Sequence, residues 1–320
     1  SAAVSGDTVV IGAFGHSPGT TDFYQPGAAY IFERNHGGAN AWGEVAKLEA
    51  SDSFDYDGFG YSVDIDGDFI VVGSWRQDDL GEDAGAAYIF RRNAGGADAW
   101  GEVTKLTAPD GAAGDHFGET VSVSGDVVVV GASQHDGDTG TAYVFERNIG
   151  GSDGWGVTSQ LTAPDAAAEA VFGISVSIDG NIIAVGASGD DEYNENSGAA
   201  YVFERKGRAW VSVARCNASD AASGDNLGTS IDIDGDTMVV GAPLESDAGT
   251  YSGAAYIFQR NQGWTDGWRQ VAKSWPPMQR PTTASVRTWQ FTSVRWLSEL
   301  RRKVSAISAP PTSSSATRAV

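Results

Sequence analysis

A single cysteine, Cys216, stands in a chain of 320 residues. One thiol excludes a disulfide framework and a cysteine-based zinc site. No run of about eighteen apolar residues occurs, so no segment has the composition of a membrane-spanning helix. Basic residues are scarce, 21 against 42 acidic ones, and the formal net charge of −21 repels nucleic-acid backbones and anionic membranes. Proline is sparse at 10, whereas glycine is abundant at 42. No Gly-Lys-Ser/Thr phosphate loop is found. What remains is 41% hydrophobic and 10% aromatic, too rich for a disordered chain and long enough for one large domain or two.

The glycines and aromatics repeat. Gly-Ala-type pairs stand at Gly12-Ala13, Gly73-Ser74, Gly131-Ala132, Gly186-Ala187 and Gly241-Ala242. Ala-Tyr recurs at Tyr30, Tyr88, Tyr143, Tyr201 and Tyr256, and tryptophan at Trp42, Trp100, Trp155, Trp210 and Trp268. A Phe-Gly pair appears at Phe59, Phe117 and Phe172, and as Leu227-Gly228 in the last copy. Such a period marks a repeat architecture. Each unit reads as four short strands, a to d; in the second copy these are 61–65, 69–73, 86–91 and 100–106. Sustained helical periodicity is absent. Asp66-Gly67 and its equivalents (Ser5-Gly6, Ser124-Gly125, Asp179-Gly180, Asp234-Gly235) read as two-residue hairpin turns between strands a and b. Repeated four-stranded units suit an all-β fold, a β-propeller of four-stranded blades with aromatics between them. Five blades are in frame, the first incomplete, with repeats near 1–58, 59–116, 117–171, 172–226 and 227–273. Trp155 is expected in the core, and Cys216, in the place of Leu106 and Leu161, as a buried small apolar residue.

Residues 274–320 differ. They hold Arg280, Arg287, Arg295, Arg301, Arg302, Lys303 and Arg318 against Glu299 alone, and no glycine. Shifting the reading frame permits strings that recur upstream, so the tail reads as a frameshifted copy of a sixth repeat, expected to be disordered or poorly packed; a basic Ser/Pro-rich linker is the alternative. The chain therefore reads as a fragment.

These residues resemble the FG-GAP repeat, the blade of integrin α-subunit propellers, over residues 1–273. The full signature, Phe-Gly then a strand pair then Gly-Ala-Pro, is nearest in the fifth copy at Gly241-Ala242-Pro243, which has Leu227 for Phe. The resemblance implies an extracellular or cell-surface scaffold for adhesion or protein recognition. It also implies calcium on the a–b loop, where Asp64, Asp66 and Asp68, and Asp232, Asp234 and Asp236, are the candidates. The loop is short, and Ser5, Ser122, Ser124, Ser177 and Asn181 replace acids in other copies, so a plain turn competes with a calcium site.

A meander places the b–c and d–a loops on one face. The b–c loops carry Asp22, Asp78, Asp79, Glu82, Asp83, Asp136, Asp138, Asp190, Asp191, Glu192, Glu195, Glu245 and Asp247. The d–a loops add Asp52, Asp55, Asp57, Asp110, Asp115, Asp165, Glu169, Asp220 and Asp225, and Arg76 is the one cation expected opposite them. This acidic face is either a solubilising surface or a docking face for a protein or glycan partner. His16, His36, His116 and His135 follow no period; His116 beside Asp115 and His135 beside Asp136 are the nearest to acid–base pairs. Non-enzymatic recognition is the leading expectation. The alternative is a carbohydrate-active propeller enzyme, or the accessory propeller of a larger hydrolase, with the irregular loop 188–198 as its best feature.

Overall fold

A computed structural model describes residues 1–15, 26–165, 167–260 and 267–275. The described strands form five four-stranded antiparallel sheets, each in sequence order. The first comprises β1 (Ala2–Ser5), β2 (Thr8–Ala13), β3 (Ala28–Arg34) and β4 (Trp42–Leu48). The second comprises β5 (Val63–Asp66), β6 (Phe69–Ser74), β7 (Ala86–Arg92) and β8 (Trp100–Leu106). The third holds β9 (Thr120–Ser124), β10 (Val127–Ala132), β11 (Thr141–Arg147) and β12 (Trp155–Leu161). The fourth holds β13 (Phe172–Asp179), β14 (Ile182–Ala187), β15 (Ala199–Lys206) and β16 (Ala209–Cys216). The fifth holds β17 (Ser230–Asp234), β18 (Thr237–Ala242), β19 (Ala254–Arg260) and β20 (Trp268–Ser274). These are propeller blades. Every outer strand pair carries a register shift at the same place, as between Ile89 and Phe90, and such an irregularity deepens the twist of a blade. Among the described residues the one stretch with helical hydrogen bonding, His135–Asp138, has Asp136 and Gly137 at φ 53° and 65°, so it is a left-handed loop.

The a–b turn lies one residue later than the sequence suggests. Asp66 pairs with Phe69, which leaves Gly67 and Asp68 as the turn. Gly67 has φ 55°, and positive φ at the first central position alone is the type II′ pattern. Asp66 is thus the last strand residue, and its carboxylate is free to reach the next blade.

Blades are joined by devices that repeat with the sequence. Apolar clusters lie between sheets; one combines Val71, Ala87, Ile89 and Leu106 of the second blade with Phe117, Val121, Val128 and Tyr143 of the third. Phe117 is fully buried, its ring edge-on to Phe145 at 6.0 Å and tilted to Tyr143 at 5.6 Å, and its N–H donates to Ala84 O of the preceding blade at 3.0 Å. The two glycine families are halves of one contact. A Cβ on Gly73 would stand 1.9 Å from Gly118 O of the next blade, so neither side tolerates a side chain.

Two rows of side chains latch each blade to its successor. At the turn, Gly67 N donates to Ser5 Oγ at 3.1 Å, Gly125 N to Asp66 Oδ2 at 2.7 Å, Gly180 N to Ser124 Oγ at 3.1 Å and Gly235 N to Asp179 Oδ2 at 2.7 Å. Two residues earlier, Val123 N and Ser122 Oγ donate to Asp64 Oδ2 at 2.8 and 2.9 Å, Ile178 N to Ser122 Oγ at 3.2 Å and Ile233 N to Ser177 Oγ at 3.1 Å. Ala3 holds this place in the first blade and offers no acceptor. Ile65 N accordingly donates to its own neighbour, Asp64 Oδ1, at 2.9 Å. Serine and aspartate alternate at these sites because either accepts a backbone N–H.

Tryptophan burial follows blade contact. Trp100, Trp210 and Trp268 are 8–9% exposed, whereas Trp42, on the side of the first blade away from the second, is 46% exposed. Trp155, expected in the core, is only half-buried; it meets Phe69 of the second blade edge-on at 5.6 Å. Cys216 is buried as expected, and burial pushes its thiol up to about 12. The tail lies outside the described residues except Ser274 and Trp275. Ser274 closes β20 opposite Ala255, the register place that Leu106 holds opposite Ala87.

Candidate functional site

The b–c and d–a loops rise from one end of the blades, where each blade repeats a polar cluster. The strand-c tyrosine lies directly across from the penultimate residue of strand d: Tyr88 from Lys105, Tyr143 from Gln160, Tyr201 from Arg215 and Tyr256 from Lys273. Both reach towards the first acid of the d–a loop. Tyr88 Oη donates to Asp52 at 2.8 Å and Lys105 Nζ donates to the same carboxylate at 2.7 Å. Tyr201 Oη donates to Asp165 at 2.7 Å and Arg215 adds a bond of 2.7 Å. Burial alone would raise the Asp52 and Asp165 carboxyls, but these donors hold both below their ordinary value.

The b–c loop supplies further acids to the same cations. Asp79 pairs with Lys105, Asp190 and Glu192 with Arg215, and Glu245 and Asp247 with Lys273 at 3.0 and 2.8 Å. Asp220 joins Lys273 at 2.6 Å. Burial would lower the Lys273 ammonium, yet Asp220, Asp247, Glu245 and Tyr256 together raise it. The third blade tests this logic internally. Gln160 replaces the cation there, and Gly137 stands where Asp79, Glu192 and Asp247 stand in the others.

The acidic face is therefore not 22 carboxylates opposed by Arg76. Lys105, Arg215 and Lys273, assigned to strand d, snorkel their charge to this face. Asp190 and Glu245, named above as docking residues, are 5% and 2% exposed and are structural. Asp78 and Asp191 cap their own loops, accepting from Asp83 N and Asn196 N. Asp57, Asp115 and Asp225 are buried too, each accepting the N–H three residues earlier at 2.8 Å. Burial pushes the Asp57 carboxyl up to about 6, against the pull of that bond. Glu82, Asp136, Asp138 and Glu195 project into solvent, with Asp83 half-exposed. Asp22 and His16 lie outside the described residues.

Neither neighbour pairing of the histidines survives. His135 Nδ1 lies 2.9 Å from Asp115 Oδ2 and Nε2 lies 3.8 Å from Asp110, and Asp136 takes no part in either contact. His116 instead packs its ring against Trp75, 4.5 Å between centroids. That contact ends a ladder that sequence reading missed: Phe14 to Tyr61 at 5.4 Å, Tyr61 to Trp75 at 5.6 Å, then Trp75 to His116, running from the first blade to the β8–β9 loop. Arg76 lies over the Trp75 ring, 4.2 Å from its centroid. Phe14 is 54% and Tyr61 36% exposed, and Phe54 (71%) and Tyr56 (51%) stand exposed in the β4–β5 loop. The available signal was a broken period: Phe14 and Trp75 occupy the place held by Ser133, Ser188 and Pro243.

The calcium candidates do not fit a shared ion. Asp64 and Asp66 point to the next blade and accept backbone N–H groups there. Asp68 and Asp236 lie 3.4 and 3.8 Å from Arg92 and Arg260. Among the described residues no cluster of three His, Cys, Asp or Glu side chains has the geometry to hold a metal. Asp64 is half-buried, and burial pushes its carboxyl up to about 6 against the bonds from Val123, Ser122 and Ile65. Two cavities of about 590 and 610 Å3 open at the last two blades. The thiol of Cys216, on the wall of the first, is held protonated.

Five latched four-stranded blades with their irregular loops at one end define a β-propeller repeat protein. The FG-GAP repeat model matches four times, at residues 42–90, 100–145, 155–203 and 210–258. The chain belongs to the FG-GAP repeat family. Each match runs from strand d of one blade to strand c of the next, so the family unit spans a blade junction. No curated protein matches the sequence. No described helix is long and apolar enough to cross a membrane.

Proposed function

We propose that this chain is a non-enzymatic recognition or adhesion scaffold of the extracellular space, binding through its b–c and d–a loop face. The observation that carries the reading is the division of labour between the two ends. The a–b turns repeat one latch from blade to blade, whereas the loop end departs from the repeat and exposes Glu82, Asp136, Asp138, Glu195 and the aromatic ladder. Recognition residues concentrate on loops held by a rigid scaffold. Calcium is not required by this reading. The basic groups present at the loop end are already engaged by acids or, for Arg76, by Trp75, so a protein partner of basic character is the complementary one.

The test is retention of the purified chain on a panel of immobilised extracellular proteins and polysaccharides, at low and high salt. Wild type should be retained, less so at high salt. A variant neutralised at Glu82, Asp136, Asp138 and Glu195 should lose retention, and one neutralised at Asp7 and Asp98, at the opposite end, should keep it. Equal retention by the two variants, or none by wild type, overturns the reading. Turnover of any polysaccharide on the panel overturns its non-enzymatic part.

A further inference from the structure

We infer that the ladder Phe14–Tyr61–Trp75–His116 is a binding platform for a neutral oligosaccharide. The inference rests on the loop face being the recognising surface and adds, on its aromatic part, a ligand class beside the basic protein that its acids suit. Three observations lead there.

First, the blade fold does not need these rings. Trp75 and Phe14 follow the Gly-Ala-type pair, where the third, fourth and fifth blades have Ser133, Ser188 and Pro243. Tyr61 follows Phe-Gly, where the others have Glu119, Ile174 and Thr229. His116 precedes Phe117, where the others have Gly58, Val171 and Asn226. Four aromatic departures from a period, all meeting in one ladder, are not a packing requirement of the repeat.

Second, the rings are presented rather than buried. Phe14 and Tyr61 are 54% and 36% exposed, and Trp75 and His116 are half-buried. Edge-to-face steps of 5.4, 5.6 and 4.5 Å form a ridge of alternately tilted rings. The first of these steps is comparable with the length of one hexose unit, so neighbouring sugars meet Phe14 and Tyr61.

Third, charge selects the ligand. Arg76 already covers the Trp75 ring, so a cationic group would meet a like charge at the strongest cation-binding ring of the ladder. Arg76 acts on Tyr61 and His116 together with Glu119 and, at His116, Asp83 and Asp138, so acids offset the one cation here and the net charge of −21 disfavours an anionic ligand. A neutral polyol avoids both penalties. Its apolar C–H faces lie on the exposed Phe14 and Tyr61 rings, which Trp75 and His116 back. Its vicinal hydroxyls suit the planar fork of Arg76, and a neutral His116 can both donate and accept.

The experiment is calorimetric titration of the purified chain with neutral cello-, xylo-, malto-, manno- and chito-oligosaccharides, at low and high salt. Two variants borrow residues that sister blades carry at the same places, Trp75→Ser and Tyr61→Thr, so their folding is not in question; thermal melts check it. Tyr251→Ala, exposed on the fifth blade, is the control. Expected is binding of at least one series, unchanged by salt and by Tyr251→Ala, and weakened at least tenfold by Trp75→Ser and by Tyr61→Thr. No binding by wild type, or binding untouched by both variants, overturns the inference. Salt-dependent retention on proteins reads the scaffold proposal separately, so either result can fail alone.

Discussion

Replacing Phe117 by alanine tests whether the Phe-Gly residue is the plug that joins neighbouring blades. The ring is fully buried between the second and third blades. Burying a phenylalanine is worth roughly 1.5–3 kcal/mol. Its contacts with Tyr143 at 5.6 Å and Phe145 at 6.0 Å add roughly 0.5–1.5 kcal/mol each. Alanine would leave a cavity bounded by backbone that cannot collapse, because Phe117 N stays bonded to Ala84 O. Phe117→Ala should therefore cost about 4 kcal/mol, within the usual range for a buried phenylalanine. Phe117→Leu supplies the control. Leu227 holds the equivalent place in the fifth blade, is also fully buried, and keeps the same bond, Leu227 N to Ser197 O at 3.1 Å. The leucine variant should lose less than about 1.5 kcal/mol. Urea denaturation followed by far-ultraviolet circular dichroism reads both. A loss below about 1 kcal/mol for Phe117→Ala, or equal losses for the two variants, would refute the plug.

Three further perturbations follow from the junctions and clusters. Gly131→Ala puts a Cβ 2.1 Å from Gly173 O, so the third and fourth blades must part; a cost of about 1–3 kcal/mol is expected in the same denaturation assay, and a neutral result removes the glycine contact from the account. Asp64 has a folded value of about 6, above its unfolded one, so its contribution is fully present below about pH 4 and is lost as pH rises through about 6. Wild type should thus gain about 3 kcal/mol relative to Asp64→Asn between about pH 8 and pH 4, measured as paired unfolding free energies; a difference that does not change with pH contradicts the burial of that carboxyl. Lys273→Met strands the buried Glu245 and should cost about 3–5 kcal/mol, whereas Lys105→Met, whose partners Asp52 and Asp79 are exposed enough to hydrate, should cost about 1 kcal/mol. Similar losses in the two variants would show that burial of the acid does not matter.

The period of glycines and aromatics was enough to read the blades, because each copy writes the same strand and turn pattern. Three features were not readable. The turn slipped by one residue because Asp66-Gly67 and Gly67-Asp68 are equally good hairpin pairs; only the register Asp66 to Phe69 decides. The face was over-counted as acidic because a strand assignment hides where a long side chain ends, and Lys105, Arg215 and Lys273 end among the loops. Asp115 and Asp225 stand two places before Phe117 and Leu227, as Asp57 does before Phe59. An acid at a fixed offset was a structural signal that a count of charges passes over. The ladder was missed for the opposite reason. Its members break the period at three different places in the blade, and nothing in the linear order says that they meet.

The latches have a direction. In every junction described, the earlier blade supplies the side-chain oxygen and the later one supplies the amide. At the turn row a trailing side therefore fits any leading side described, much as a row of tiles accepts one more of the same mould. Duplicating or excising one whole unit in the gene would leave two compatible surfaces facing each other, so blade count is free to drift while the loops that each unit carries diversify.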